Sequence, residues 1–515
     1  MPARPQRKTA ARSLLSTLIL AALLTPLGAG PTLAQQNTPA ALPNLGDSSD
    51  LSPAAERRIG DRIARELYRD PDYLDDLIIT DYVQGIWQPL LAAARQRGEL
   101  TGQIDEAFAW EILMGRDRTV NAFALPGGYF GLHLGLVGIV TSRDELASVL
   151  AHELSHVTQR HISRSMARQS AQAPWVMGAM ILGVLAATKD AGAAQATIVG
   201  SQAAAAQTQL NYSRDMEREA DRIGFGVQTQ AGFAPQGFVS MFEKLQQSSR
   251  LNDAGGFPYL RTHPLTTERI ADMQSRVRQS DKANVQPATT MEHAMVAARA
   301  RLLSNSAVDS LRLWDQEVQL SHLQKQSAPA QVGTLYGATL AALKLRDFAQ
   351  AQTLLTRLKE RTQGDVAAQR LTRLLAVESA LVQGNTALAE TAIRELQDNS
   401  RATVLMRAHV DTLAGRGANA AQALQTWVAD HPRDATAWQL LAAANTAAGR
   451  PVAAVRAEAE VNVAQLDYGT ALTRFKAAQD LARRSGTQAD LIEASIVDVR
   501  ARQMESLLRE QALER

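Results

Sequence analysis

Apolar residues at Leu146, Leu150, Leu154 and Val157 fall on one face of a helix, and Ser142-Arg143-Asp144-Glu145 stands at its head as a capping box. In such a box the serine and glutamate side chains satisfy reciprocal backbone donors, so the pattern predicts a helix starting beside Ser142. A second helical stripe, Ala220, Ile223 and Val227, runs to a stop marked by Gly232 and Pro235. Upstream of both, Val120 to Leu125 alternates around Asn121 and enters Pro126-Gly127-Gly128, which predicts a short strand ending in a turn. Beyond about residue 275 strand signals vanish, and alanine and leucine dominate. The whole pattern predicts an α-rich α+β domain with a small edge sheet, followed by an all-α region.

That all-α region is periodic. Trp438, Leu441, Ala442, Gly449 and Ala454, preceded by His431-Pro432, match the spacing of a tetratricopeptide repeat, a helical pair of about 34 residues. An earlier copy reads Gly415, Ala420, Leu424 and Trp427 and closes at Pro432. Arg346-Asp347-Phe348 with Ala351, and Gly384-Asn385 with Ala389, read as further copies, and Tyr468, Ala471, Phe475 and Ala478 as a last one. The alanines at 351, 389, 420, 454 and 471 give steps of 38, 31, 34 and 17, so the final half period predicts one helix serving two neighbouring pairs. Stacked pairs build a solenoid with a concave binding face. The expected division is a first domain over 51–275, a linker over 276–290 around Gln279-Ser280-Asp281-Lys282 and Pro287, repeats over 291–485 and a C-terminal helix over 486–515.

The amino terminus places Arg4, Arg7, Lys8 and Arg12 before an apolar stretch from Leu14 to Leu24, then Thr32-Leu33-Ala34 before Gln35-Gln36. That order predicts a signal peptide over 1–34 with a flexible segment over 35–50, because the apolar core is too short for a stable span. The 54 basic and 52 acidic residues give a formal charge of +2. Losing the four basic groups leaves 50 against 52, a net charge of −2. Nothing in that balance then supports a nucleic-acid partner, and no phosphate-cradling glycine loop is present. There is no cysteine, so an exported form must rely on its apolar cores, and lipid attachment at the cleavage site is excluded. A soluble exported protein is expected.

Within the first predicted helix, His152, Glu153 and His156 stand in the order His-Glu-x-x-His. Residues four apart share a helical face, so both imidazoles can reach one zinc ion with a carboxylate beside them. A catalytic zinc keeps three protein ligands and a water, whose pKa it lowers to roughly 7. Glu153 would take that water's proton and hand it to the leaving amine. One peptidase class would place Gly at 159 and a third histidine at 162, but Gln159 and Ile162 exclude it. In the second helix Glu217 and Asp221 are also four apart; Glu217 is assigned as third ligand and Asp221 as the carboxylate holding a ligand histidine's other N–H. Glu219 should point elsewhere. His161, five residues past His156 and so about 140° round a continuing helix, reads as a surface or capping histidine.

These two helices and the strand-like Asn121 to Gly128 segment resemble the gluzincin family that contains the CAAX prenyl proteases, the HtpX-type heat-shock proteases and their periplasmic relatives. The likeness spans roughly residues 50 to 275. It implies one zinc ion bound by His152, His156 and Glu217, with Glu153 as catalytic base. It also gives Asn121, Ala122, Phe123 and Ala124 a role as an exposed edge strand that pairs with an extended substrate. His263, in Arg261-Thr262-His263-Pro264, resembles the family's His-Pro motif and could stabilise the oxyanion or occupy the open zinc position at rest. Residues 174–187 are apolar all round, too short to cross a bilayer of about 30 Å, and resemble a shortened form of a region that spans the membrane in other members. They are expected to pack near the site or touch a membrane surface. A gluzincin followed by repeats behind a signal peptide resembles the family's periplasmic branch. That likeness implies a zinc endopeptidase that assists outer-membrane barrel assembly, degrades stalled subunits, and meets clients and the barrel-assembly machinery through its repeats.

Overall fold

The computed structural model describes residues 51–168, 213–251, 257–319, 323–485 and 488–513. The expected signal peptide, the segment 35–50 and the apolar insert 174–187 lie outside the described residues. The first region runs α1 (Pro53–Arg69), α2 (Leu77–Gln96), α3 (Gly102–Ala107), β1 (Glu111–Gly115), β2 (Ala122–Leu125), β3 (Tyr129–His133), α4 (Leu134–Ile139), α5 (Arg143–Thr158) and α6 (His161–Arg168), then α7 (Arg214–Gln230), α8 (Gln236–Leu251), α9 (Pro258–Thr262) and α10 (Thr267–Gln279).

The strand order is β1-β3-β2, with β3 parallel to β1 and antiparallel to β2. β2 is thus an end strand, but its residues are not exposed: Asn121, Ala122, Ala124 and Leu125 are buried, because β2 lies against α5. The turn between β2 and β3 needs Gly127 and Gly128, whose φ values are +72° and +78°.

Local signals place the two helices that matter most. Ser142 caps α5 by accepting from the Glu145 amide at 3.2 Å. The Glu145 carboxylate accepts from the Thr141 amide at 2.7 Å, one residue before the expected reciprocal donor, and also meets Lys244 at 2.7 Å. Ser213 caps α7 in the same way, accepting from Met216 at 3.2 Å. Gly224 lets α7 approach α5 closely, since a Cβ there would stand 3.0 Å from the Ala151 carbonyl oxygen.

The second region is entirely helical among its described residues: α11 (Met291–Ser304), α12 (Val308–Gln319), then five hairpins, α13 (Ala328–Lys344) with α14 (Phe348–Arg361), α15 (Val366–Val382) with α16 (Thr386–Arg394), α17 (Arg401–Leu413) with α18 (Gly417–Asp430), α19 (Ala435–Ala447) with α20 (Pro451–Ala464), and α21 (Tyr468–Ser485) with α22 (Gln488–Leu513). Ala351, Ala389, Ala420 and Ala454 are buried on the second helix of their pairs, whereas Ala471 is buried on the first helix of the fifth. The half-period step falls between α20 and α21, and α20 packs both on α19, its own partner, and on α21 of the next pair.

The expected linker is shorter than 276–290, because α10 continues to Gln279. The two regions also share one apolar core that runs from Ile78 in α2 to Val410 in α17. Charged pairs tie them together. Asp76, the N-cap of α2, meets Arg299 of α11 at 2.7 Å, and Asp81 meets Arg370 of α15 at 2.9 Å. Asp75 accepts from Arg401 of α17, which also meets Asp434 at 2.8 Å. Thus the start of α2 is gripped by arginines from three different helices. Among the described residues no helix is long and apolar enough to cross a membrane.

Candidate metal centre

α5 turns the His152 and His156 rings to one side, α7 brings Glu217 across from them, and the loop after α9 delivers His263. One donor atom from each of these four residues lies within 4.8 Å of all the others. The Nε2 atoms of His152 and His156 are 3.0 Å apart, and they stand 3.6 Å and 3.4 Å from the Glu217 carboxylate oxygens. His263 Nδ1 is 3.3 Å from His152 Nε2 and 3.0 Å from Glu217 Oε1. Ligands about 2.1 Å from a tetrahedral ion lie roughly 3.4 Å from one another, so these separations are close to the edges of a zinc-sized tetrahedron. All four side chains are buried.

The outer nitrogens of the two helical histidines are held by different devices. His152 Nδ1 lies 3.0 Å from Asp221 Oδ1, and Arg269 of α10 braces Asp221 through two hydrogen bonds of 2.7 and 2.8 Å. Arg269 also reaches Glu217 Oε2 at 2.7 Å. His156 Nδ1 lies 2.9 Å from Nδ1 of His161, whose Nε2 meets Glu219 at 3.0 Å.

His161 is therefore not a surface histidine: it is fully buried, and Glu219 points to it and to Arg164. The helix does not continue as expected: α5 stops at Thr158 and Arg160 adopts φ +53°, reversing the chain so that His161 faces back toward His156. His161, Arg269 and Tyr259 were not legible as site residues. Tyr259 stacks on His263 with ring centroids 4.7 Å apart, and its backbone N–H donates to Val120, tying α9 to the segment that enters β2. Of these only Arg269, five residues past Pro264, carried any local hint.

Charge in the pocket suits a cation. Burial would raise the Glu217 pKa, yet His263 and His156 outweigh it and hold this carboxyl well below its usual range. Asp221 is likewise held low, because Arg269 and His152 outweigh its desolvation. Desolvation pushes His156 well below the ordinary histidine value, leaving a neutral ring with a lone pair for a metal. At His263 the order reverses: burial opposes its charge, but the Glu153 and Glu217 carboxylates prevail and raise its pKa. Burial raises Glu153, against the pull of His263 and His152. Neither Glu153 oxygen makes a hydrogen bond of ordinary geometry among the described residues, and Oε1 is 3.5 Å from His263 Nε2. Converging lone pairs beside Glu217 and Asp221, two buried carboxylates held in the charged form, fit a divalent ion.

The expected substrate residues fall on β2 and on Asn121 just before it. His133 donates to the Asn121 carbonyl oxygen, so in the alternating antiparallel ladder Ala122 and Ala124 turn their N–H and C=O groups away from β3. Phe123 lies over Gly131 on the neighbouring strand.

The family model for "Peptidase family M48" matches residues 92–277. A Vibrio cholerae protein assigned as a beta-barrel assembly-enhancing protease is 32% identical over 457 residues, covering 88% of this chain and 90% of that protein. The Escherichia coli beta-barrel assembly-enhancing protease is 29% identical over 444 residues, covering 85% and 87%. The mitochondrial metalloendopeptidase OMA1 of Saccharomyces cerevisiae is 28% identical over 196 residues, covering 37% and 54%. The first two likenesses extend across both regions of the fold, whereas the third covers a smaller part of each chain.

Proposed function

The chain belongs to the M48 peptidases of the beta-barrel assembly-enhancing type and is a zinc metalloendopeptidase, and from that premise we propose how its residues divide the work in outer-membrane protein quality control. The reading is of a periplasmic enzyme that assists barrel-protein assembly and removes subunits that stall. What supports it most is the convergence of His152, His156, Glu217 and His263 within 4.8 Å, beside a buried Glu153.

In this reading His152, His156 and Glu217 hold the ion. Zinc, when bound, polarises the scissile carbonyl and makes a water acidic enough to attack near neutral pH. Glu153 takes the water's proton and returns it to the leaving nitrogen, a task that its raised pKa suits. Asp221 fixes the His152 ring with its proton on Nδ1, and Arg269 keeps Asp221 and Glu217 charged and in place. The outward backbone groups of Ala122 and Ala124 hold an extended substrate segment. The helical hairpins, read as tetratricopeptide repeats, recruit unfolded or partly assembled barrel proteins.

His263 stands at the fourth corner of the donor set, where the attacking water has to sit, rather than beside it. This position favours a resting, closed site over an oxyanion role, and an enzyme whose cleavage is latent until His263 withdraws. A single assay tests both parts: cleavage of an unfolded outer-membrane protein by wild type, Glu153→Gln and His263→Ala. The expected outcome is a loss of about 10²- to 10⁴-fold for Glu153→Gln and a gain for His263→Ala. Equal rates for wild type and Glu153→Gln would remove the zinc mechanism, and a loss in His263→Ala would restore the oxyanion role.

A further inference from the structure

We propose that His161 is a positioning residue for the metal centre, fixing the proton and the orientation of the His156 ring through a relay that ends on Glu219. The inference rests on the reading of His156 as a ligand through Nε2. A neutral imidazole that coordinates through Nε2 must carry its proton on Nδ1. Nδ1 of His161 stands 2.9 Å away, within hydrogen-bond reach of that proton, and takes the role of acceptor. His161 consequently carries its own proton on Nε2 and donates it to the Glu219 carboxylate at 3.0 Å. Every tautomer in the chain Glu219, His161, His156 follows from the first one. Its far end is held by Arg164, 3.0 Å from Glu219.

The backbone shows that this arrangement is built. Had α5 continued, His161 would lie about 140° round the helix from His156 and could not reach it. Instead the chain leaves the helix at Gln159, and Arg160 takes a left-handed conformation that a residue with a side chain adopts unfavourably. The Arg160 side chain is fastened to Glu56 at 3.0 Å and Ser163 at 3.1 Å. The turn thereby returns a fully buried imidazole to the back of a ligand. His152 has the simpler counterpart, a carboxylate placed directly on Nδ1.

The plainer alternative is that His161 only docks α6 onto α7 through Glu219. Two isosteric variants separate the roles. His161→Asn keeps a polar atom where Nδ1 was, and so can still accept from His156, but gives up the link to Glu219. His161→Gln keeps a donor near the Nε2 position but loses the acceptor facing His156. Zinc dissociation constants of the purified full-length variants, measured by competition with a chromophoric chelator, should rise about 10- to 100-fold for His161→Gln and His161→Leu and stay near wild type for His161→Asn. The visible spectrum of cobalt-substituted protein should change in the same order.

Thermal melting of the metal-free proteins reports the docking role independently and should not follow that order. If His161→Leu does not fold, the order of the Asn and Gln variants decides alone. Equal affinities throughout, or tighter binding by His161→Gln than by His161→Asn, would overturn the proposal. Were wild type and Glu217→Ala to bind zinc equally, the metal-site reading itself would fall, which is a different result.

Discussion

Arg299 and His156 are both buried polar residues at the centre of charged clusters, and their surroundings are opposite in kind. Around Arg299 every donor is spent: Nε and one terminal nitrogen bond Asp76, the terminal nitrogens reach Glu378 at 2.8 and 3.2 Å, and one approaches the Tyr336 hydroxyl at 3.3 Å. Around His156 the acceptors face one another, with Nε2 of His152, a Glu217 oxygen and Nδ1 of His263 turned inward. A knot of opposite charges closes on itself and holds two regions of the chain together. A set of converging lone pairs is electrostatically incomplete and calls for a cation. Burial alone does not mark a functional site; the sign and direction of the buried groups do.

The largest effect that would break this contrast belongs to Glu217→Ala. Zinc sites of this size are worth about 10–16 kcal/mol, so losing one of three ligands should weaken binding by about 3 kcal/mol or more, over about a hundredfold. Metal analysis of purified protein checks it, and full occupancy in the variant would show that the converging groups do not need this carboxylate.

Arg299→Ala should do the reverse. It strands Asp76 and Glu378 without their cation, so denaturant unfolding should show a loss of about 3–5 kcal/mol while the folded fraction still binds zinc. Reduced zinc affinity in the folded variant would mean that the two centres are coupled.

The smallest effect sharpens the comparison through pH. His293 bonds the Tyr82 hydroxyl and the Val140 carbonyl oxygen with its two nitrogens, and burial holds its pKa below the ordinary histidine value. Below about pH 6.5 the unfolded chain therefore binds a proton that the folded chain refuses, and stability falls with acidification toward the lowered folded-state value. One such group contributes a slope of at most about 1.4 kcal/mol per pH unit. His293→Gln should give a shallower stability profile over that window, and an unchanged slope would assign it to other histidines.

The two helices that carry His152, His156, Glu217 and Asp221, and the Ser142 cap of the first, could be read in advance, because each depends on spacings of three or four residues along one helix. The alanines at 351, 389, 420, 454 and 471, all buried, were legible from their recurrence at steps of about a repeat or half a repeat. The edge position of β2 followed from its length and turn, but not its burial, which comes from α5. His161 was misread because wheel arithmetic assumes an unbroken helix, and the left-handed residue that breaks this one is an arginine, which carries no turn signature. Arg269 meets Asp221 across 48 positions, and Asp76 meets Arg299 across 223. No local pattern announces such pairs.

The order of residues by itself determined which side chains can bind a metal and on which helical faces they stand, since helix geometry converts spacing into direction. Tertiary structure alone decided that His263 lies at the fourth corner of the donor set, that His161 backs His156, and that the first helical hairpins share a core with the peptidase region. Those outcomes depend on where separate elements come to rest against each other, and packing between distant segments sets that, not the periodicity within any one of them.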